Sequence, residues 1–229
     1  MTTLFRLNLD KNTGVFFDDE SKTIKKFYIG KKANILRKNE ITGFKWYSYE
    51  LKKKNIFSFD LVNKNKKSQS QIEYPLIRGK KYSFWKKFIN NVDQVHQIVK
   101  HYKFIWPDKK YVPYHGDLTL ENIIFISKNK TIFIDWEDFK KKELWGLDIC
   151  YFLISLVTLP LINSGKKKIS SDETSKFKYF WKMVFNKKKY IYLKDPVNYL
   201  KKKYKKKNHF IHKIDDEVKE QIKNIIKII

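Results

Sequence analysis

VPYHGDLTLENIIFISKNKTIFIDWEDF, residues 112–139, decides how the rest of the chain is read. His115, Asp117, Asn122 and Asp135 surround two apolar runs, IIFI and TIFI, and a lysine and asparagine turn divides the runs. Short apolar runs closed by such a turn predict two strands of a hairpin, which return the chain beside its origin. His115 and Asp117 stand one residue apart, Asn122 follows Asp117 by five, and Asp135 follows Asn122 by thirteen. On that hairpin Asn122 and Asp135 converge at one end. An Asp that can take or orient a hydroxyl proton, with an amide and a carboxylate oxygen as hard donors beside it, is the layout of a metal-assisted phosphoryl-transfer site. Such donors suit Mg²⁺, which keeps several waters and binds largely through nucleotide phosphates.

Outward from this stretch, residues 3–9, 14–17 and 23–29 alternate between polar and apolar and are separated by turns, so three antiparallel strands are predicted. In the third, Thr23, Lys25 and Phe27 share one face and Ile24 and Lys26 the other. A lysine there either faces solvent or aims at a nucleotide phosphate. From residue 32 to about 51 the period becomes helical, and Glu40 falls within a stripe of Ala33, Leu36, Phe44 and Tyr47. A carboxylate in that stripe needs a partner. The spacing leaves two choices, a lysine from the third strand or a neighbour on the helix such as Arg37 or Lys45.

Further strands are predicted at 56–61 and 70–77, with Pro75 marking an edge, and helices at 80–90 and 91–102. The shift in composition around 75–79 divides a small sheet-rich part, residues 1–78, from a larger helical part, residues 79–229. Beyond the central stretch, a buried helix is expected at 144–161, broken near Pro160. A polar loop follows at 164–176, then an apolar helix face at 177–185 and an amphipathic helix at 215–229. The longest apolar run, 149–162, is short for a membrane span, and no secretory leader is legible near residue 1, so a cytoplasmic protein is expected. A single cysteine, Cys150, excludes an internal disulfide framework.

The net charge is +26, yet the 50 basic residues include only three arginines, Arg6, Arg37 and Arg78. Reading phosphates or base edges favours the planar guanidinium fork, so lysine dominance argues against a nucleic-acid reader. Residues 166–229 carry 20 lysines against 7 acids, a surplus of +13, which leaves open a peripheral contact with an anionic membrane. The five histidines include no HExxH, and neither GxSxG nor GxxxxGK[ST] occurs, so zinc, hydrolase and P-loop chemistries find no local support.

HGDLTLENIIF, followed by IDWEDF and GLD, resembles the catalytic segment of the aminoglycoside phosphotransferase and choline/ethanolamine kinase families, which share the protein-kinase-like fold. The resemblance implies an α+β fold of two lobes, with a small antiparallel N-lobe sheet and a reduced helical C-lobe. It implies ATP and Mg²⁺ as cofactors, Asp117 as catalytic base with His115 supporting its loop, and Asn122 and Asp135 as metal ligands. By the same resemblance Asp148 in GLDICYF braces the loop. IKKF is similar to the strand bearing the phosphate-contacting lysine, which assigns Lys25, with Lys26 its rival because a slip of one residue reverses the face. NEITGFKWY assigns its partner Glu40, and EYPLIRG places the adenine contact around Glu73, Tyr74 and Ile77. The glycine-rich phosphate loop of the wider fold is missing; only Asn12, Thr13 and Gly14 stand between the first strands, so a shorter turn would cover the phosphates.

The acceptor would be a hydroxyl of a small molecule. Few acids and many lysines follow Asp148, which favours an anionic or neutral acceptor such as a sugar, sugar phosphate or lipid-linked glycan over choline, ethanolamine or an aminoglycoside. Two other readings compete, a basic membrane- or nucleic-acid-associated binding protein and a pseudokinase of the same fold.

Overall fold

The computed structural model describes residues 2–9, 11–18, 20–56, 70–82, 88–186, 188–205 and 209–227. The protein is a mixed α+β chain with a small antiparallel sheet and six helices among these residues. Two compact units divide it. The first comprises Met1–Gly79, Tyr111–Asp117 and Ile134–Glu143, and the second Lys80–Lys110, Leu118–Phe133 and Leu144–Ile229. The stretch 112–139 is thus shared, its two ends folding with the N-terminal sheet and its middle with the helices.

In the first unit, β1 (Thr2–Asn8), β2 (Thr13–Asp18), β3 (Thr23–Tyr28) and β4 (Gln71–Pro75) pair antiparallel in sequence order. Short turns between the first three strands make hairpins the only economical connection. The first turn closes on Asn12 (φ 50) and the second on Lys22 (φ 51), both in the left-handed region. β3 sets Lys25 opposite Phe16 and Glu73, and Lys26 opposite Val15 and Ile72. Pro75 ends β4, the outermost described strand on its side, where a missing N–H does no harm.

α1 (Lys31–Lys53) follows Gly30 and buries Ala33, Glu40, Phe44, Tyr47 and Leu51 along one stripe. That stripe packs on the β3 and β4 face bearing Tyr28 and Ile72, with Leu36, Ile41 and Tyr74 around it. A two-stranded pair completes the unit, β5 (Tyr111–Tyr114) with β8 (Lys140–Leu144). The lysine-rich KKKEL of β8 has no apolar alternation, so nothing in its sequence announces a strand.

In the second unit, β6 (Ile123–Ser127) and β7 (Lys130–Phe133) form the hairpin expected from the central stretch. α2 (Val92–Ile105) buries Val95, Ile98, Val99 and Tyr102. α3 (Leu147–Ser164) starts after Gly146 and ends at Gly165, with Pro160 inside it, so the break expected at Pro160 does not occur. This helix is long and apolar enough to cross a membrane, but 78% of its span is buried inside the structure, as in the core helix of a globular unit.

α4 (Ser171–Phe185) begins well before the expected 177, because Ser170 and Glu173 form a reciprocal capping box. α5 (Pro196–Lys203) is capped by Asp195, and α6 (Asp216–Lys227) buries Val218, Ile222 and Ile225. Of the helix expected at 80–90, residues 88–90 form a single 3-10 turn and Lys80 bridges to Phe125. Residues 83–87, and nearly all of the strand expected at 56–61, lie outside the described residues.

Candidate active site in the N-terminal unit

β5 ends at Tyr114, and His115 then ties two segments of the first unit together. Its Nδ1 accepts from the Asp117 backbone N–H at 3.3 Å, which leaves the proton on Nε2 to be donated to the Ile134 carbonyl at 3.0 Å. The ring is fully buried, with its centroid 4.3 Å from that of Trp136. Burial pushes its pKa down to about 4, so the neutral tautomer is the one that holds the loop. Gly116 adopts φ 93, and a Cβ there would stand 2.3 Å from the Asp138 carbonyl oxygen, so only glycine lets the two segments approach.

Ile134 leads into Asp135, a non-glycine residue at φ 66. Such a conformation costs free energy and persists where the surroundings fix it. The anchors here are Trp136 and Phe139, which pack on α1. Gly43 of that helix comes so close that an added Cβ would lie 2.8 Å from atoms of both side chains. Trp136 also lies 5.0 Å from Tyr47 and 5.9 Å from Trp46 between ring centroids, and Asn39 Nδ2 donates to the Glu137 carbonyl at 2.9 Å.

This anchoring delivers Asp135 and Glu137 to one lysine, and that lysine is Lys26. Its Nζ donates to Asp135 Oδ1 at 2.6 Å, lies 2.8 Å from Glu137 Oε1 and 3.6 Å from Glu40 Oε2. The residue is only 8% exposed, and Glu40 2%. Tyr74 Oη donates to Glu40 Oε1 at 2.6 Å, and Lys11 Nζ donates to Glu137 Oε2 at 2.7 Å. Burial pushes the Glu40 carboxyl up, and the attraction of Lys26 only partly offsets it. Desolvation acts on Asp135 in the same direction, but the charges of Lys26 and then Lys11 outweigh it and hold that carboxyl below the usual range.

Of the two rival lysines, the structure therefore pairs Lys26, not Lys25, with Glu40. Lys25 lies on the opposite face of β3, where its Nζ donates to Asp18 Oδ2 at 2.6 Å. The register pairs Lys26 with Ile72, whose side chain packs toward α1, and so puts Lys26 on the Glu40 side. The open choice over Glu40 is resolved as well, since its ionic partner is a strand lysine.

The other expected residues divide between the units. Asp117 is half-buried directly after Gly116, in the first unit. Glu73 shares the outward face with Lys25 and accepts from Thr23 Oγ1 at 2.8 Å. Tyr74 contributes its hydroxyl to Glu40, and Ile77 lies half-buried beyond β4 in the chain, after Leu76, whose N–H donates to the Lys22 carbonyl at 2.9 Å. Asn122 is buried in the second unit, in a 3-10 turn that runs into β6. Asp148, also in that unit, is buried in the first turn of α3, where a carboxylate is favoured by the helix dipole.

Sequence reasoning overlooked Lys11 and Glu137 as members of the cluster. Lys11 carries no distinguishing signal among so many lysines. Compared with known proteins, the sequence matches no family model and no curated protein.

Proposed function

We propose that this protein is an ATP-dependent phosphotransferase of the protein-kinase-like, two-lobed class. It would transfer a phosphoryl group to the hydroxyl of a small molecule, as its resemblance to the aminoglycoside phosphotransferase and choline/ethanolamine kinase families suggests. One observation carries the reading. A strand lysine, Lys26, meets a helix glutamate, Glu40, and the aspartate of the IDWED segment, Asp135, within 3.6 and 2.6 Å. Three segments far apart in sequence converge here, and the Lys26–Glu40 pair has the strand-lysine to helix-glutamate form that a kinase uses.

In this reading Lys26 binds nucleotide phosphates and Glu40 holds it in place. Asp117 lies two residues beyond the buried His115, which accepts from its backbone N–H and so fixes the loop. Asp117 takes the proton of the acceptor hydroxyl as the oxygen bonds to the γ-phosphorus. The bond from that phosphorus to the β–γ bridging oxygen breaks, and ADP leaves with the electron pair. The resemblance assigns magnesium to Asp135, in the first unit, and Asn122, in the second, and each by itself offers the hard oxygen donor that the ion prefers. When bound, the ion neutralises charge on the phosphate oxygens. One orphaned polar atom agrees with a polar ligand: Tyr28 Oη is buried without a hydrogen-bond partner among the described residues. The lysine surplus near the C-terminus favours an anionic or neutral acceptor.

The test is ATP consumption with magnesium over sugars, sugar phosphates, alcohols, amino alcohols and nucleosides, beside the Asp117→Asn protein. Turnover with one acceptor class, lowered about 10²–10⁴-fold by the substitution, is expected. Nucleotide binding without turnover would point to a pseudokinase. Salt-sensitive polyanion binding that survives loss of both Asp117 and Asp135, without ATP turnover, would overturn the reading. Turnover of polyamine-like acceptors alone would overturn the acceptor class.

A further inference from the structure

In the phosphotransferase reading the turn between β1 and β2 stands where a glycine-rich loop would cover nucleotide phosphates, and the sequence offers there only Asn12 and the first residues of β2, Thr13 and Gly14. It offers a side chain as well. Lys11 sits in this turn, whose shape is fixed on three sides. The Lys11 N–H donates to Asn8 Oδ1 at 3.1 Å, the Asn12 N–H to the Leu9 carbonyl at 3.2 Å, and the Ile29 N–H to the Asn12 carbonyl at 3.0 Å. From this frame Lys11 Nζ reaches Glu137 Oε2 at 2.7 Å and Asp138 Oδ2 at 3.7 Å. The other oxygen of Glu137 lies 2.8 Å from Lys26 Nζ. One buried carboxylate therefore fills a seat between two ammonium groups, one of which is 23% exposed and open to solvent.

We propose that Lys11 and Lys26 form a two-ammonium clamp for the β- and γ-phosphates of a nucleoside triphosphate, and that Glu137 is the anion the phosphates displace. The proposal rests on the phosphotransferase reading for its ligand. It gives the chain a side-chain substitute for the missing glycine-rich loop: two charge-assisted bonds replace a row of backbone N–H donors. It also sets a condition on binding. Among the described residues, Lys11 and Lys26 face Glu40, Asp135, Glu137 and Asp138, two cations against four acids when all are ionised. A triphosphate without a divalent cation meets that excess of negative charge, so its binding is weak until magnesium accompanies it or an acid is removed.

The experiment measures calorimetric affinities for ATP and AMP on the full chain, with magnesium present and with it chelated. Lys11→Met is expected to weaken Mg-ATP binding roughly tenfold to a hundredfold, the loss of one charge-assisted bond, and to leave AMP unchanged. Lys11→Arg restores most of the ATP affinity. Glu137→Gln shifts the other way and tightens ATP binding in the absence of magnesium. If Lys11→Met changes neither nucleotide, or weakens AMP as much as ATP, the clamp is wrong while the phosphotransferase reading stands. If the wild type binds ATP as expected but phosphorylates no acceptor, the reading fails and the clamp stands. A wild type that binds neither nucleotide overturns both.

Discussion

Lys25 and Lys26 are neighbours on β3, yet their surroundings have almost nothing in common. Lys25 faces away from α1, and its ammonium bonds to Asp18 at the end of the same hairpin. Lys26 faces α1, is nearly buried and meets Asp135, Glu137 and Glu40, which come from distant parts of the chain. Solvent screens the first pair, so its geometry says little about stability or function. The second exists only because α1 and the 134–139 segment are held in place by Trp136, Phe139 and Gly43. Burying so many ionised groups costs more than the attraction returns unless each is well partnered. Apolar packing of the same volume is often as stable as such a cluster, so the retained charges support the phosphotransferase proposed above.

The contrast breaks most visibly when each lysine is removed. Lys26→Met leaves buried carboxylates without their cation and is expected to cost about 3–5 kcal/mol of unfolding free energy, read from urea titration. Lys25→Met, in the same assay, is expected to move the midpoint far less. Equal losses would mean that the inward cluster is no more than another screened ion pair. Tyr74→Phe comes next. It deletes only the hydroxyl that donates to Glu40 and is expected to cost about 1–3 kcal/mol, because the carboxylate oxygen left behind cannot reach water. In the double variant with Glu40→Gln that cost should shrink, since the neutral amide makes a smaller demand.

Much of this architecture is legible in the sequence, and the parts that are not share a cause. The first three strands and α1 show their periods plainly, because each has one face in the core and one outside. The β6–β7 hairpin is announced by its SKNK turn between apolar runs. What cannot be read is parity. IKKF contains two lysines one residue apart, and only the pairing of Lys26 with Ile72 and the packing of α1 decide which one turns inward. β8 is hidden for a related reason, since KKKEL is recruited by its partner strand rather than by any apolar pattern of its own. The early start of α4 was legible after all in Ser170 and Glu173, spaced as a capping box inside what reads as a polar loop. Asp117, His115 and Asp135 stood out through motif, whereas Lys11 could be found only through its contact with Glu137.

The finest distinction between the two faces lies in the sign of their response to pH. On the outward face, the hydrogen bond from Lys25 lowers the Asp18 pKa from 3.8 to about 2. Below 3.8 the unfolded chain takes up that proton first, so the contribution of Asp18 is present above 3.8 and is lost as pH falls through 2. On the inward face burial raises the Glu40 pKa above its ordinary 4.5. There the folded state keeps the proton that the unfolded chain has released, so stability declines as pH climbs from 4.5 toward neutrality. Difference curves isolate each group. Subtracting Glu40→Gln from wild type across pH 4.5–7 should leave a slope that falls with rising pH, and subtracting Asp18→Asn across pH 2–4 should leave one that rises. If both curves rise with pH, the Glu40 carboxyl is governed by Lys26 rather than by its burial, and Lys26 and Lys25 differ in the number of their partners but not in the balance of forces on them.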